Sequence, residues 1–404
     1  MQFQSITGQE DLKKQLKDLV QQNRLSHALL FLGKEGSGAL QLALALAQYL
    51  VCEKISTNNS SSTNSILFDQ PSSSSSLNDA CEICSACKKA NQLIHPDIHF
   101  SYPVITKKSD KPPISTDFIS EWREFVQQNN YGNVYDWLKH VVDKNKLVKS
   151  ENKQGNISAN ECNDIIRKLS LKSFEGGYKI LILWMPEFLG NQGNKLLKLI
   201  EEPPPNTLFI LVSENDGKVL PTILSRCQLV KIPALTSKEI ELALIEKNNI
   251  DSNQARQIAL LSQGNYREAL QFLQNAEEDW QNLLREWLNA VLKTGPIAQT
   301  KWVEEISRQG RENQKQFLLY FNHILEQAIR CKLLNDENSL PDKEKDFIVR
   351  LNKIADLSQQ QAIIEELDKA MYYIERNANA KILFHALTIK LYHIIQDKIV
   401  FLTP

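Results

Sequence analysis

The sequence predicts an α/β domain with a parallel β-sheet, followed by a region made of helices alone. Three observations support this prediction. Short apolar runs alternate with helical patterns over residues 1–235, and a glycine-rich loop separates the first run from a long apolar helical segment. Residues 236–404 contain no convincing strand.

Five apolar runs have the length and composition of buried strands. They are His27–Leu32, Ile98–Tyr102, Tyr178–Met185, Thr207–Ser213 and Gln228–Ile232. Such runs between helices are typical of a parallel sheet that is covered on both faces. A capping box, Ser158-Ala-Asn-Glu161, predicts a helix that runs to about Leu169, and Gly176-Gly177 predicts a turn into the third strand.

The loop after the first strand has the glycine spacing of a phosphate-binding loop. A loop of this kind reads G-x-x-x-x-G-K-[ST]: its amides cradle phosphates, its Lys contacts the β- and γ-phosphates and its hydroxyl binds Mg²⁺. The residues here are Gly33, Gly36, Ser37, Gly38, Ala39 and Leu40. Ala39 and Leu40 stand at the Lys and hydroxyl positions and have no group for a phosphate or a metal. The loop therefore predicts the architecture of an ATPase without its chemistry.

The all-helical region is predicted to form two domains. A second capping box, Thr236-Ser-Lys-Glu239, opens a small helical domain over residues 236–276. We expect a larger helical domain over residues 279–404, where Gln359–Asp397 is one long helical segment. Its pattern begins with Trp280, Leu283, Leu284, Trp287, Leu288 and Val291.

Two segments interrupt the α/β domain. Residues 56–78 are rich in Ser and Asn, so we expect a disordered loop. Residues 103–157 form a long insertion, in which Phe118–Gln128 has a helical pattern and Lys139–Lys153 is rich in lysine.

Four of the seven cysteines have the spacing of a structural zinc site. Cys81, Cys84 and Cys87 form C-x₂-C-x₂-C, and Cys52 at the end of the preceding helix offers a fourth thiolate. Four thiolates make a closed tetrahedral site with no open position for catalysis. We therefore expect a structural Zn²⁺ in a module over residues 52–97. The alternatives are unligated thiols and, with less support, an iron–sulfur cluster.

Composition and net charge argue against several classes of protein. The 404 residues include 47 Lys and Arg and 48 Asp and Glu, so bulk charge favours neither a nucleic-acid wrapper nor a membrane-surface protein. The first residues lack the basic start and apolar core of a signal peptide, and no apolar segment is long enough to span a bilayer. We expect a cytoplasmic protein without membrane contact.

Further motifs resemble those of the bacterial clamp-loader subunits of DNA polymerase III, which are AAA+ proteins. Residues 194–204, NKLLKLIEEPP, resemble the N-A-L-L-K-x-L-E-E-P-P helix end of that family. Residues 220–227, LPTILSRC, resemble its P-T-I-x-S-R-C motif. Residues 26–33 (SHALLFLG), residues 95–97 (HPD) and the cysteines also match. The resemblance covers residues 1–100 and 158–275 and rests beyond 279 on the helical pattern and the Asn377-Ala-Asn379 turn.

The departures from an active motor indicate the δ′ type of this family. Counting back from Glu201-Glu202, the family's Walker B Asp-Glu pair falls at Leu183-Trp184, which cannot coordinate Mg²⁺ or polarise a water. With the loop Lys and hydroxyl also missing, the resemblance implies a subunit that binds no ATP. Arg267 matches the sensor 2 arginine of the family, and we expect it to be structural here.

The Ser225-Arg226-Cys227 motif is different, because the resemblance implies that Arg226 acts in trans. As an arginine finger it would balance charge on the γ-phosphate of a neighbouring subunit's ATP, an effect of about 10³–10⁵ in rate. The alternative is an arginine whose charge meets a helix dipole, which is worth about 0.3–1 kcal/mol.

The resemblance thus implies a complete architecture and role. The fold is α/β plus all-α: an AAA+ P-loop domain with a zinc module, a small helical lid and a C-terminal helical collar. The role is that of a non-hydrolysing subunit, not an enzyme in isolation, in a hetero-oligomer with γ/τ and δ subunits that loads a sliding clamp on primer–template DNA. The alternatives are an active γ/τ-type motor and an independent zinc-dependent DNA-binding protein.

Overall fold

The computed structural model describes residues 1–55, 79–105, 112–145, 155–274, 280–334, 342–376 and 378–398. The chain divides into two units, Met1–Ala269 and Leu270–Pro404. The loop predicted to be disordered, 56–78, lies outside the described residues, and so do parts of the insertion.

Five parallel strands form the sheet of the first unit, in the order β2-β3-β4-β1-β5. They are β1 (Ala28–Gly33), β2 (Ile98–Ser101), β3 (Lys179–Trp184), β4 (Thr207–Ser213) and β5 (Gln228–Ile232). Each strand begins and ends within one residue of its predicted run. Every residue of β3 and β4 is buried, as expected for strands that are covered on both faces. The predicted α/β class is confirmed.

Helices precede, connect and follow the strands of this sheet. They are α1 (Glu10–Gln21), α2 (Ala39–Val51), α3 (Ser85–Asn91), α4 (Ile119–Gln128), α5 (Val134–Lys144), α6 (Ala159–Ser170), α7 (Leu197–Glu201), α8 (Pro221–Leu224), α9 (Ser237–Asn248), α10 (Ser252–Leu261) and α11 (Tyr266–Gln274). A 3₁₀ segment, Pro186–Leu196, leads into α7. Helix α2 is apolar nearly all round and almost wholly buried, so it forms the centre of the core.

The two predicted capping boxes have different outcomes. At α9 the box is complete, because Thr236 and Glu239 each accept the other's backbone N–H. At α6 only half of it forms: Ser158 Oγ accepts the N–H of Glu161 at 3.3 Å, but the Glu161 carboxylate accepts the N–H of Ser115 at 2.6 Å instead. The second half of the Ser158 prediction is therefore wrong, and this buried carboxylate ties the insertion to α6.

An aromatic cluster anchors the described part of the insertion. Trp122 stacks on Tyr102 with ring centroids 4.1 Å apart, and Trp137 meets Trp122 edge-on at 5.3 Å. Trp137 Nε1 donates to the carbonyl of Pro103 at 2.7 Å. All three rings are fully buried. Helices α4 and α5 are thus an integral part of the first unit and not a surface appendage.

The second unit contains helices throughout its described residues. They are α12 (Trp280–Asn289), α13 (Pro296–Arg308), α14 (Arg311–Leu334), α15 (Asp342–Ile354), α16 (Leu357–Glu375) and α17 (Ala380–Gln396), with a π-helical turn at Ala290–Thr294. Trp287 and Trp302 stack at 4.6 Å in its core. The helical segment Gln359–Asp397 contains most of α16 and all of α17, and Asn379 caps α17. Within the described parts of both units, no helix combines the length and hydropathy needed to cross a bilayer.

Replacing Trp137 by Ala should lower the free energy of unfolding of the first unit by about 3–5 kcal/mol, because a buried ring and its contacts are lost. Urea denaturation followed by far-UV circular dichroism measures this loss. Tyr135→Ala is the control: Tyr135 lies two positions earlier on α5, is 40% exposed, and should change stability by about 0.5 kcal/mol or less. Equal losses in the two variants would contradict this packing.

Candidate functional site

The glycine-rich loop lies where β1 ends, beside the carboxyl ends of β3 and β4. Parallel α/β sheets bind ligands at the carboxyl ends of their strands. Gly36 and Gly38 have φ angles of +73° and +88°, a conformation that side chains other than glycine rarely adopt. The loop therefore keeps the backbone form that its glycine spacing predicts.

The cleft above this loop is nearly filled. Its volume is about 30 Å³, whereas sites for small molecules measure about 300–1,000 Å³. Tyr131 and Gly132 of the insertion line it together with the loop. A Cβ atom placed on Gly38 would lie 3.3 Å from the Tyr131 ring. Ala39 and Leu40, at the Lys and hydroxyl positions, are buried, as is Ser37.

Arg267 contacts Glu35, which lines this cleft, and its side chain is 4% exposed. Its Nη1 donates to Glu35 Oε1 at 2.9 Å, and its Nε and Nη2 donate to the two carboxylate oxygens of Asp136 at 2.5 and 2.7 Å. Glu35 belongs to the glycine loop and Asp136 to α5 of the insertion. One arginine is therefore shared between two carboxylates from distant segments of the chain.

The residues at the Walker B positions contribute apolar surface. Leu183 and Trp184 end β3 and are buried. The Trp184 ring lies 5.2 Å from the Trp122 ring and 6.1 Å from the Phe125 ring, so it extends the aromatic cluster of the insertion. Leu183 packs in the core cluster that also holds Phe209 and Leu211, so only Trp184 contacts the rings of the insertion.

Glu187 is a carboxylate near this edge that the sequence reasoning missed. Its Oε1 accepts the Ser213 hydroxyl at 2.6 Å and the backbone N–H groups of Glu214 and Asn215 at 2.8 and 3.0 Å. These contacts tie the segment after β3 to the end of β4. Asp136, Tyr131 and Glu35 were missed too: Asn133 and Asp136 form a capping box, a local signal that says nothing about the distant cleft.

Arg226 lies at the amino-terminal ends of the parallel strands, whereas the glycine loop lies at their carboxyl ends. It lies two residues before the start of β5, and β5 runs parallel to β1 in the register Leu29 to Gln228 and Gly33 to Ile232. The five residues of β5 separate these two ends of the sheet by about 15 Å. This geometry places Arg226 out of reach of its own loop.

The Arg226 side chain is 35% exposed and pairs with Glu201. Its Nη1 also donates to the carbonyl of Thr222 at 2.8 Å and to the hydroxyl of Ser225 at 3.2 Å. Cys227 packs against the core, and burial raises its pKa to about 11, so that thiol stays protonated. Of Ser225, Arg226 and Cys227, Arg226 is therefore the residue that carries a charge which a partner could contact.

The four predicted cysteine ligands come together. The sulfur atoms of Cys52, Cys81, Cys84 and Cys87 all lie within 4.8 Å of one another, and those of Cys81 and Cys87 are 3.9 Å apart. Sulfur atoms bound tetrahedrally at about 2.3 Å from a zinc ion are about 3.8 Å apart. The cluster therefore has metal-binding dimensions.

Backbone amides surround the cysteine sulfurs. Cys81 N–H, Cys84 N–H and Cys87 N–H point at the sulfurs of Cys52, Cys81 and Cys84, at 3.4–3.5 Å. Burial raises the pKa of the Cys81 thiol, but the amides of Cys84 and Ile83 outweigh it and bring that pKa to about 7. Donors of this kind favour the thiolate that a metal requires.

Comparison with known proteins identifies the relatives of this chain. The family model described as "DNA polymerase III, delta subunit" matches residues 8–236. DNA polymerase III subunit delta′ of Bacillus subtilis (strain 168) is 26% identical over 271 residues, which are 67% of this chain and 60% of that protein. The subunit tau of the same organism is 25% identical over 341 residues, 83% of this chain and 48% of that protein.

A third relative, DNA polymerase III subunit delta′ of Buchnera aphidicola subsp. Baizongia pistaciae, is 24% identical over 269 residues, 66% of this chain. The alignments span about half to three fifths of the length of these relatives.

Replacing Glu201 by Ala should change the free energy of unfolding by about 1 kcal/mol or less, because its pair with Arg226 is exposed to solvent. Glu187→Ala is the matched comparison: it leaves three donors without their acceptor and should cost about 1–3 kcal/mol. Urea denaturation of both variants measures the difference. A loss at Glu201 as large as that at Glu187 would show that Arg226 is held firmly by its own chain.

Proposed function

The chain belongs to the DNA polymerase III delta-subunit family, and on this premise we propose that it is the non-hydrolysing, δ′-type subunit of a clamp loader. In this role it scaffolds the ATPase subunits and supplies Arg226 to the ATP site of a neighbour. The observation that carries the proposal is the nucleotide cleft, which the chain fills with its own side chains.

The chemistry at the cleft supports the absence of ATP binding. Ala39 and Leu40 remove the phosphate and Mg²⁺ contacts of the loop, and Leu183 and Trp184 remove the acidic pair. Loss of the Lys contact alone costs about 1.5–3 kcal/mol, or ten- to hundredfold in affinity. An active motor, which the likeness to a tau subunit favours, needs these groups. The non-hydrolysing role therefore fits the residues better.

The position of Arg226 supports a role in trans. Its guanidinium is partly exposed and lies at the end of the strands opposite the glycine loop. Leaving Glu201 costs about 1 kcal/mol or less because the pair is exposed. Once it leaves Glu201, the guanidinium of Arg226 is able to form a bidentate contact with phosphate oxygens of a neighbouring subunit.

The remaining parts have structural roles in this proposal. Residues 1–235 form the AAA+ domain, 236–276 the lid and 279–404 the collar that joins the γ/τ and δ subunits. Sliding clamp and primer–template DNA are contacted through the complex. Cys52, Cys81, Cys84 and Cys87 hold one structural Zn²⁺, which fixes the segment before β2.

Arg226→Ala should lower clamp- and DNA-stimulated ATP hydrolysis at the adjacent motor subunit by about 10³–10⁵-fold, because charge on the γ-phosphate loses its partner. Arg226→Lys should restore little, since Lys lacks the planar fork. The measurement is the ATPase and clamp-loading rate of a reconstituted complex.

The control for this experiment is Arg167→Ala, which removes another exposed arginine that pairs with one carboxylate. Both variants should assemble normally by gel filtration. Wild-type rates in an assembled Arg226→Ala complex would show that Arg226 is only a helix-end charge.

Cys84→Ser should release one zinc ion per chain, because the closed site loses one of its four thiolates. Elemental analysis of the purified protein measures the metal, and far-UV circular dichroism should show that the helices of the second unit persist. Cys331→Ser, which replaces a cysteine of that second unit, is the control and should retain the metal. A wild-type protein that is metal-free when prepared without chelator would contradict the assignment.

A further inference from the structure

The insertion contacts both the glycine loop and the lid. From the insertion, Tyr131 Oη accepts the N–H of Thr7 at 3.1 Å, and its ring meets the Tyr266 ring of the lid at 4.7 Å. Asn133 Nδ2 donates to Glu35 Oε2 of the loop at 3.1 Å. One short segment, Tyr131–Asp136, thus contacts both the loop and the lid.

The lid reaches the loop through its own residues as well. The Tyr266 N–H points at the carbonyl of Gly36 at 3.4 Å, and Asn265 Nδ2 donates to Glu35 at 3.4 Å. A Cβ atom on Gly36 would lie 1.9 Å from the Asn265 side chain, so only glycine permits this approach. The lid therefore closes directly on the loop.

The charged groups at this junction are paired within the chain. Arg267 is the buried cation of the lid, and Glu35 and Asp136 supply two carboxylates to it. Asp136 binds the guanidinium through both of its oxygens, the fork geometry that a phosphate group also offers to arginine. A buried arginine requires such a partner, because an unpaired buried charge is very costly.

We propose that the segment Tyr131–Asp136 is a built-in ligand of the nucleotide cleft, whose carboxylate at Asp136, with that of Glu35, takes the place of phosphate oxygens at Arg267. The lid is thereby held on the glycine loop in the absence of any nucleotide. The inference rests on the proposed absence of nucleotide from this cleft, and it assigns a role to the insertion: it fixes the orientation of the lid.

The test uses hydrogen–deuterium exchange of the full chain without nucleotide. The double variant E35Q/D136N removes both negative charges while keeping side-chain size. Exchange of the amides in helices α9 to α11 and in the glycine loop should accelerate at least tenfold. Asp143→Asn, which removes an exposed carboxylate from the same helix, α5, is the matched control and should exchange like the wild type. Lid exchange at the wild-type rate in the double variant would overturn the proposal.

Inorganic pyrophosphate tests directly whether the carboxylates of Glu35 and Asp136 take the place of phosphate oxygens. In E35Q/D136N it should restore slow lid exchange, because opening of the lid in this variant exposes Arg267, which has lost both carboxylates, to phosphate oxygens. In the wild type it should change nothing. Failure to restore slow exchange in the double variant would overturn the idea that the carboxylates replace phosphate.

Arg267→Met covers the case in which the double variant fails to fold, since it removes the buried cation and leaves only Glu35 and Asp136, whose side chains are partly exposed. Its lid should exchange at least tenfold faster, and pyrophosphate should have no effect on it. Wild-type lid exchange in this variant would also overturn the proposal. These readouts need no partner subunit, so they are independent of whether Arg226 acts in trans, which the ATPase assay decides.

Discussion

The organisation of the first unit depends on one buried cation, the guanidinium of Arg267. It joins the glycine loop, the insertion and the lid, because its partners Glu35 and Asp136 come from two of these segments and Arg267 from the third. Removing one partner of a buried ion pair costs about 3–5 kcal/mol. The exposed pair of Arg226 and Glu201 is worth far less. One arginine is therefore held firmly within the chain, and the other remains available at the surface.

The apolar residues at the cleft and the insertion fit each other. Trp184, at a Walker B position, packs on Trp122 of the insertion. A carboxylate at position 184 would be buried against this ring, and an unpaired buried carboxylate is strongly destabilising. Likewise, a Lys at position 39 would bring charge to a buried site. The insertion thus fits a cleft that lacks polar catalytic groups.

Local patterns in the sequence predict much of this fold. The strands β1 to β5, the start of α9 and the cysteine cluster all follow from periodicity, capping residues and spacing. The Ser158 box shows the limit of this reasoning, because a tertiary partner, Ser115, competes for Glu161. The contact of Asp136 with Arg267 joins residues 131 positions apart and leaves no local pattern. The insertion's place in the cleft could be found only from the three-dimensional structure.

The central claim is that the chain occupies its own nucleotide cleft. Isothermal titration of Mg·ATP, and separately of ADP, into the full-length wild-type chain tests this claim most directly. We predict no measurable binding at millimolar nucleotide, because the phosphate ligands are absent and Arg267 is already paired. Saturable one-to-one binding with micromolar affinity would contradict the account, since the segment Tyr131–Asp136 would then have to leave the cleft.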